Sequence, residues 1–373
     1  MQQLSIRSAG DLVRTYGRTY FDGTDDVLYF NYTCGGFEVD FRGKVLAAVF
    51  SAIADTTVPP RPLLPGQQPP VREDWPWIAV FVDDSDEPAR TMRVRDGETI
   101  PLFFSPEEEH HRIRVVKLTE NLRTALGLRS LWMDGSLEKP VCAPRPVIEF
   151  VGDSITCGFG NATPDVSHEF EAAEENGWMS HGAIAARMLG FESRFVSVSG
   201  ISVAVRPGMP SQYGMLDLYP YADRILQDKL AQARNLPASE YLPYDFKARP
   251  AQYVVLNLGT NDASQVYFSP DEEKPRALQA FEDNYRRLVE TIRTLNGPDT
   301  VIVCALGCMD YYLYDNIRDV LTRYRADTGD EKIHLLKYHK MMNMAPDTGA
   351  CFHPYISRQK KMAAQLADFI RRM

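Results

Sequence analysis

The sequence has no long hydrophobic run and no strongly basic segment. No stretch approaches the roughly 20 consecutive apolar residues that a membrane-spanning helix needs, so we expect no membrane span. Asp and Glu number 50 against 41 Lys and Arg, which gives a formal net charge of −9. This balance argues against nucleic acid as a partner, because binding a phosphate backbone requires clustered positive charge. The first residues contain no apolar segment of the kind that directs export. We therefore expect a cytoplasmic protein, or a secreted one if such a signal has been removed.

Cysteine and histidine are too scattered to form a recognisable disulfide or metal framework. The six cysteines contain no C-x-x-C pair, and the seven histidines show no H-E-x-x-H spacing. Dispersed cysteines in a large chain are typical of reduced thiols that pack in the core. We therefore expect no disulfide framework and no metal site.

The first part of the chain predicts a series of short strands. Runs rich in β-branched and aromatic residues alternate there with clusters of Gly, Asp and Pro. The runs are 27–32, 44–50, 77–82 and 112–118. This spacing is typical of an antiparallel sandwich or jelly roll. The acidic residues 107–109, with the two histidines after them, predict a solvated loop in this region.

A change of pattern near residue 142 predicts a domain boundary. Three prolines lie within residues 140–146, and neither a helix interior nor a central strand tolerates proline. The chain of 373 residues also exceeds what one hydrophobic core usually organises. We expect two domains, an all-β jelly-roll or sandwich domain over 1–142 and a second domain over 143–373.

The second domain has continuous apolar runs that alternate with amphipathic helices. The runs are 147–151, 195–198, 253–258, 301–306 and 333–336. Apolar strands flanked by helices are typical of a parallel sheet that is covered on both faces. The pattern predicts a three-layer α/β domain.

A polar segment, Gly152-Asp153-Ser154, comes directly after the first of these apolar runs. Ligands of open parallel sheets bind beyond the carboxyl ends of the strands, so a serine at that position is a candidate nucleophile. The alternative is that Asp153 or Ser154 only caps the next helix, since Asp and Ser are common capping residues.

Two further segments end at the same edge of the predicted sheet. Asn261 comes after the third apolar run within Gly259-Thr260-Asn261-Asp262, and its amide can donate to a developing oxyanion. The alternative for Asn261 is an Asx-type turn. His353 lies in a glycine-containing loop between the last apolar run and the final helix, which makes it a candidate general base.

These segments, in this order and spacing, resemble the SGNH (GDSL-type) hydrolases. The corresponding blocks are Gly152-Asp153-Ser154, Gly200, Gly259-Thr260-Asn261-Asp262 and His353. The resemblance implies that Ser154 is the nucleophile and His353 the base. It also implies an oxyanion hole formed by the main-chain N–H groups of Ser154 and Gly200 together with the Asn261 side chain.

The last block departs from the family pattern. The family usually has an aspartate three residues before the histidine to orient the imidazole, and this sequence has Ala350 there. Either a main-chain carbonyl or Asp347 would then orient His353, and we favour the carbonyl. This choice predicts a Ser-His dyad.

A subset of the SGNH group, carbohydrate esterase family 2, combines a leading jelly roll with such a domain. Its N-terminal signature resembles residues 16–21 and 30–38, and the likeness then spans nearly the whole chain. The resemblance implies removal of acetyl groups from plant-type polysaccharides or oligosaccharides, of manno or xylo type, without a metal or organic cofactor. Trp178, Tyr219 and Tyr221 are candidates for contacts with the sugar.

Two rival interpretations remain at the level of the sequence. An SGNH esterase or thioesterase acting on lipid or other small acyl esters would use the same serine and should have a deep apolar pocket. A carbohydrate-binding protein with an inactive hydrolase domain would not depend on Ser154. The sequence does not determine the oligomeric state.

Overall fold

The computed structural model describes residues 1–56, 73–141, 143–166, 170–205, 212–237, 240–342, 344 and 346–373. Within these residues the chain forms an antiparallel sheet followed by a parallel one. The last strand of the first sheet ends at Glu138, and the first strand of the second begins at Val147. Residue 142, where we placed the boundary, lies outside the described residues, and the division stays a prediction.

The first sheet is antiparallel, strongly curled and jelly-roll-like, which confirms the predicted all-β class. Its strands are β1 Gln2–Ser5, β2 Arg14–Tyr16, β3 Tyr20–Asp22, β4 Val27–Tyr29, β5 Gly36–Ile53, β6 Trp77–Val82, β7 Arg90–Arg93, β8 Thr99–Lys117, β9 Ala125–Met133 and β10 Ser136–Glu138. The long strands β5 and β8 pair with each other, and β5 also pairs with β2, β9 and β10. Buried Phe30, Phe37, Phe41 and Phe50 fill the interior, where aromatic side chains exclude a large apolar area from water.

The prediction of a solvated loop at residues 107–109 is wrong. These residues continue β8, in which Glu109 pairs with Gly43 and His110 with Arg42. Their side chains are exposed, so hydrogen bonding along the main chain, rather than burial of side chains, forms this part of the strand.

The second sheet has five parallel strands, as the apolar runs predicted. They are β11 Val147–Gly152, β12 Glu192–Ser197, β13 Ala251–Asn257, β14 Val301–Leu306 and β15 Ile333–Lys337. Their order across the sheet is β12-β11-β13-β14-β15. Strand β11, which leads to Ser154, therefore lies between β12 and β13, and the carboxyl ends of all three strands meet at one edge.

Helices cover both faces of this sheet. The α-helices of the chain are α1 Ile6–Ala9, α2 Ser154–Cys157, α3 His181–Leu189, α4 Met215–Leu218, α5 Arg224–Ala233, α6 Thr260–Phe268, α7 Lys274–Asn296, α8 Tyr314–Thr328 and α9 Ile356–Ile370, with 3-10 turns at Gly10–Leu12, Ala172–Glu174, Gly177–Met179 and Ala350–Phe352. On β13, Val254 and Leu256 pack with α7 and α8, whereas Val255 packs with α3 and α9. This alternation confirms the three-layer α/β class. Across the described part of the chain, a membrane could not be crossed by any of the helices, since none is both long and apolar enough.

A buried ion network joins the two sheets. Arg18 of the first domain and Arg194 on β12 both donate to Glu149 on β11, at 3.1 and 2.6 Å. Burial alone would raise the pKa of Glu149, but the two guanidinium groups outweigh it and hold the pKa at about 2. Removing one partner of such a buried pair costs about 3–5 kcal/mol, because it leaves the other charge uncompensated.

Candidate active site

Ser154 is the first residue of the one-turn helix α2, immediately beyond β11. The side chain of Asp153 caps this helix by accepting the Ile155 N–H at 3.0 Å, which leaves the serine hydroxyl out of the capping role. Gly152 is needed here because a Cβ atom would lie 2.1 Å from the hydroxyl oxygen of Thr156. The turn is therefore tight, and it presents Ser154 at the edge of the sheet with 8% of its surface exposed.

The imidazole of His353 contacts the Ser154 hydroxyl directly. His353 Nε2 lies 2.8 Å from Ser154 Oγ, and His353 Nδ1 lies 3.0 Å from the main-chain carbonyl oxygen of Cys351. A carbonyl can only accept, so Nδ1 carries the proton and Nε2 is the acceptor that faces the serine. Burial lowers the pKa of His353 to about 4, which keeps the imidazole neutral at physiological pH.

The loop that carries His353 approaches the nucleophile loop closely. The Ala350 N–H donates to the carbonyl oxygen of Gly160 at 3.0 Å. A Cβ atom on Gly349 would lie 2.3 Å from that same oxygen, so glycine is required for the approach. Cys351 and Phe352 both have positive φ, at 49° and 60°, a region that non-glycine residues rarely adopt. This strained turn directs the Cys351 carbonyl back toward the imidazole.

Asp347 is not brought to the imidazole. Its carboxylate forms an ion pair with Arg358 and a second one with Lys361 at 2.8 Å. The side chain is only 6% exposed, and these two cations occupy its carboxylate. Of the two candidates for orienting His353, the structure places the main-chain carbonyl, and not Asp347, against Nδ1.

Gly200 and Asn261 lie on the two loops next to the nucleophile. Gly200 has a φ of 74°, in the left-handed region that favours glycine. The Asn261 amide donates to the Ile201 carbonyl at 3.0 Å and to Asp153 Oδ2 at 3.4 Å. Burial raises the pKa of Asp153 to about 7. The Asn261 amide is therefore linked to the residue before Ser154, and Gly200 follows the neighbouring strand β12. Their role as oxyanion donors stays a prediction.

An aromatic stack behind the histidine was missed by sequence reasoning. The Phe159 ring lies 4.7 Å from the His353 ring and stacks on Phe170 at 3.7 Å. The Arg123 guanidinium of the first domain lies 5.1 Å from the Phe170 centroid. A further aromatic residue, Phe352, is 54% exposed beside His353. The sequence signal for these residues was only their nearness in the chain to the Ser154 and His353 blocks.

The predictions for Trp178 and Tyr219 as sugar contacts are wrong. The Trp178 ring packs against Phe81 at 4.7 Å and lies 4.0 Å from the Arg187 guanidinium, while its N–H donates to the Asp86 carbonyl. Tyr219 is fully buried and donates its hydroxyl to a carboxylate of the inter-sheet ion network. Both rings serve packing, because protein atoms cover the faces that a sugar would need.

Tyr221, the third candidate, is half-buried, and its ring lies 5.5 Å from that of Tyr241 in an edge-to-face arrangement. A role in sugar binding stays a prediction for this residue.

One group of buried side chains has the chemistry of a metal site. The ligand atoms of Glu120, Cys157 and Glu175 all lie within 4.8 Å of one another. The fully buried Lys117 interacts electrostatically with both carboxyl groups. Burial lowers the pKa of Lys117 to about 7. The absence of a metal site stays a prediction.

Comparison with known proteins places these observations in a family. The GDSL-like lipase/acylhydrolase family matches residues 148–366. The cellulase/esterase CelE of Acetivibrio thermocellus is 30% identical over 303 residues, which cover 79% of this chain and 34% of that protein. An acetylxylan esterase/glucomannan deacetylase of Cellvibrio japonicus is 30% identical over 194 residues, which are 50% of each chain. The chain thus spans half or less of the length of these two relatives.

Solved structures match almost the entire chain. A family two carbohydrate esterase from Clostridium thermocellum, in complex with cellohexaose, aligns with a TM-score of 0.74 and 25% identity over 96% of this chain and 98% of that one. An acetyl xylan esterase from Butyrivibrio proteoclasticus has the same fold, with a TM-score of 0.81 at 19% identity over 100% and 98% of the two chains. Because the matched family segment runs from β11 into α9 and contains Ser154, Asn261 and His353, the chain belongs to the GDSL-like lipase/acylhydrolase (SGNH) family, with the two-domain fold of family two carbohydrate esterases.

Proposed function

We propose that this protein is a serine esterase that removes O-acetyl groups from plant-type polysaccharides or oligosaccharides. The observation that carries the proposal is the 2.8 Å contact between Ser154 Oγ and His353 Nε2, with Nδ1 held by the Cys351 carbonyl. The relatives named as an acetylxylan esterase and a glucomannan deacetylase support acetylated xylo- and manno-type glycans as the substrate class.

Acylation begins with transfer of the Ser154 hydroxyl proton to Nε2 of His353. The serine oxygen forms a bond to the acetyl carbonyl carbon, and the carbonyl oxygen becomes an oxyanion. The N–H groups of Ser154 and Gly200 and the Asn261 amide donate to it. For Asn261, the oxyanion replaces the long 3.4 Å bond to Asp153, so the amide keeps its bond to Ile201 and remains aligned.

Collapse of the tetrahedral intermediate breaks the bond to the sugar oxygen, which takes the proton from His353 and leaves as a hydroxyl. The acetyl group then remains on Ser154. Water is deprotonated by the same imidazole, attacks the acetyl carbon and releases acetate, and the proton returns to Ser154. The Cys351 carbonyl holds Nδ1–H throughout, so the machinery works as a Ser-His dyad without a carboxylate partner.

Exposed aromatic rings of the second domain are candidate sugar contacts. Phe352 adjoins His353 and is 54% exposed. Tyr267, at the end of α6, and Tyr312, in the loop after β14, pair their rings at 4.4 Å, and both are exposed. Sugars stack their apolar C–H faces on such rings, so these residues take the place of Trp178 and Tyr219 in the proposal.

The test is to follow acetylated manno- and xylo-oligosaccharides with the protein by time-resolved NMR or mass spectrometry, which reads the substrate and the hydroxyl position together. We expect release of acetate by the wild type and none by Ser154→Ala. A series of p-nitrophenyl esters tests the lipid alternative, and a preference for octanoate over acetate would contradict our proposal. Glycan binding that is the same in both proteins, with no acetate released by either, would favour the inactive binding protein. A cytoplasmic location stays a prediction.

A further inference from the structure

A loop of the first domain reaches the nucleophile loops of the second. It begins after β8, and its residue Glu120 is fully buried. Glu120 Oε2 accepts the Ser199 N–H at 2.7 Å, and Ser199 immediately precedes Gly200. The thiol of Cys157, the last residue of α2, lies 3.8 Å from the same oxygen. A single carboxylate from the jelly-roll domain therefore touches both loops that flank the proposed oxyanion hole.

The carboxylate is held in place from its own side. Lys117 Nζ donates to the main-chain carbonyls of Thr119 and Glu120, at 2.8 and 2.7 Å. The Leu118 carbonyl accepts the Gly177 N–H of the second domain at 2.8 Å. These bonds hold the main chain of residues 118–120, which carries the Glu120 side chain to Ser199.

Glu175 shares the buried space with Glu120. The two carboxyl groups lie within 4.8 Å of each other, with Lys117 nearby. Burial and the neighbouring Glu120 charge raise the pKa of Glu175 well above its usual range. Glu175 is therefore a second buried carboxyl group beside Glu120, and the Ser199 N–H donates to Glu120.

The contact at Ser199 matters because the next residue in the chain is Gly200. Gly200 is exposed, has a φ of 74° and would have no heavy atom within 4 Å of a Cβ atom. The Gly200 N–H belongs to the planar peptide unit that begins at Ser199, so its direction depends in part on where Ser199 is held. Glu120 holds that residue.

We propose that Glu120 is a positioning residue for the oxyanion hole: by anchoring the Ser199 N–H, this side chain of the jelly-roll domain directs the Gly200 N–H toward the oxyanion formed at Ser154. The assignment rests on the esterase function proposed above. It makes the first domain a structural part of the active site. In the second domain alone, the Gly200 N–H would be misdirected.

The experiment compares Glu120→Gln with Glu175→Gln as the matched control. Glutamine at 120 keeps the shape but replaces the carboxylate that accepts the Ser199 N–H, whereas glutamine at 175 makes the same change at a neighbouring buried carboxyl group to which Ser199 does not donate. Loss of an oxyanion donor costs about 100- to 1,000-fold in kcat, so a donor that is present but misdirected should cost about 10-fold. We expect that loss for Glu120→Gln on p-nitrophenyl acetate with KM nearly unchanged, and wild-type kcat for Glu175→Gln.

A second measurement separates positioning from general damage to the fold. A boronic acid adds to the serine as a tetrahedral anion that needs the oxyanion donors. Its inhibition constant should rise about 10-fold in Glu120→Gln, in parallel with the loss in kcat, while the thermal unfolding temperatures of the two variants stay similar. Glu120→Ala should lose more than Glu120→Gln. If Glu120→Ala does not fold, the glutamine pair still decides the question.

Unchanged kcat and boronate inhibition in Glu120→Gln would overturn the proposal, as would equal losses in both glutamine variants. In either case Ser154→Ala would still be inactive and the esterase function would stand. Failure of the esterase function has a different signature, because the wild type itself would then release no acetate from any ester.

Discussion

Replacing Asp347 by asparagine distinguishes the two ways in which His353 can be oriented. In a conventional triad, loss of the carboxylate leaves the imidazole in the wrong tautomer and costs about 10⁴-fold in kcat. Here Nδ1 donates to the Cys351 carbonyl at 3.0 Å, and the Asp347 carboxylate binds Arg358 and Lys361 instead. We therefore expect kcat of Asp347→Asn to stay close to that of the wild type.

The substitution should instead lower stability. Removing one partner of a fully buried ion pair costs about 3–5 kcal/mol. Lys361 is largely exposed, and Arg358 also donates to the Lys340 carbonyl at 3.0 Å, so part of its charge stays compensated. We therefore expect a loss below that range, about 2–3 kcal/mol in the free energy of unfolding. Each kcal/mol lowers Tm by about 2–4 °C in a domain of this size, which predicts a fall of about 4–12 °C.

The assay measures kcat and KM on p-nitrophenyl acetate, and Tm by circular dichroism, for Asp347→Asn and His353→Ala. The histidine variant should lose at least about 100-fold in kcat, because it removes the general base. It should change Tm less than Asp347→Asn does, because it removes no ion pair. If Asp347→Asn lost activity as severely as His353→Ala while remaining folded, the dyad would be refuted and Asp347 would have to reach the imidazole during the reaction.

The geometry of the histidine loop gives two other predictions. Because burial lowers the pKa of His353 to about 4, the imidazole stays neutral and can act as a base above that pH. The acid limb of the plot of kcat/KM against pH should therefore be centred near 4. An acid limb near the ordinary histidine pKa of about 6.5, in protein shown to be folded, would contradict the assignment. Gly349→Ala should reduce kcat about 100-fold, because its Cβ atom would lie 2.3 Å from the Gly160 oxygen and would push the two catalytic loops apart. Gly23→Ala is the matched control, since its Cβ atom would meet nothing closer than 4.0 Å, and equal activity of the two variants would show that the loops need no such close approach.

Much of the fold could be predicted because its signals are local. All five apolar runs of the second domain became parallel strands, and no boundary moved by more than three residues, as from 195–198 to Glu192–Ser197. The polar blocks after β11 and β13 lie together because the carboxyl ends of parallel strands share one edge. The exposed part of β8 was missed because it depends on pairing with β5, and its charged side chains carry no alternating pattern.

The amino-acid sequence by itself determined the order of the strands along the chain, the two fold classes and the candidate groups Ser154, Asn261 and His353, since apolar periodicity and short blocks record them. Only the tertiary structure decided which acceptor faces His353 and which aromatic rings are covered by protein. It alone also placed Glu120 of the first domain against Ser199 of the second, which is 79 residues away in the chain. These contacts join segments whose separation in sequence carries no information about distance. They depend on how the two domains pack, and no local pattern encodes that packing.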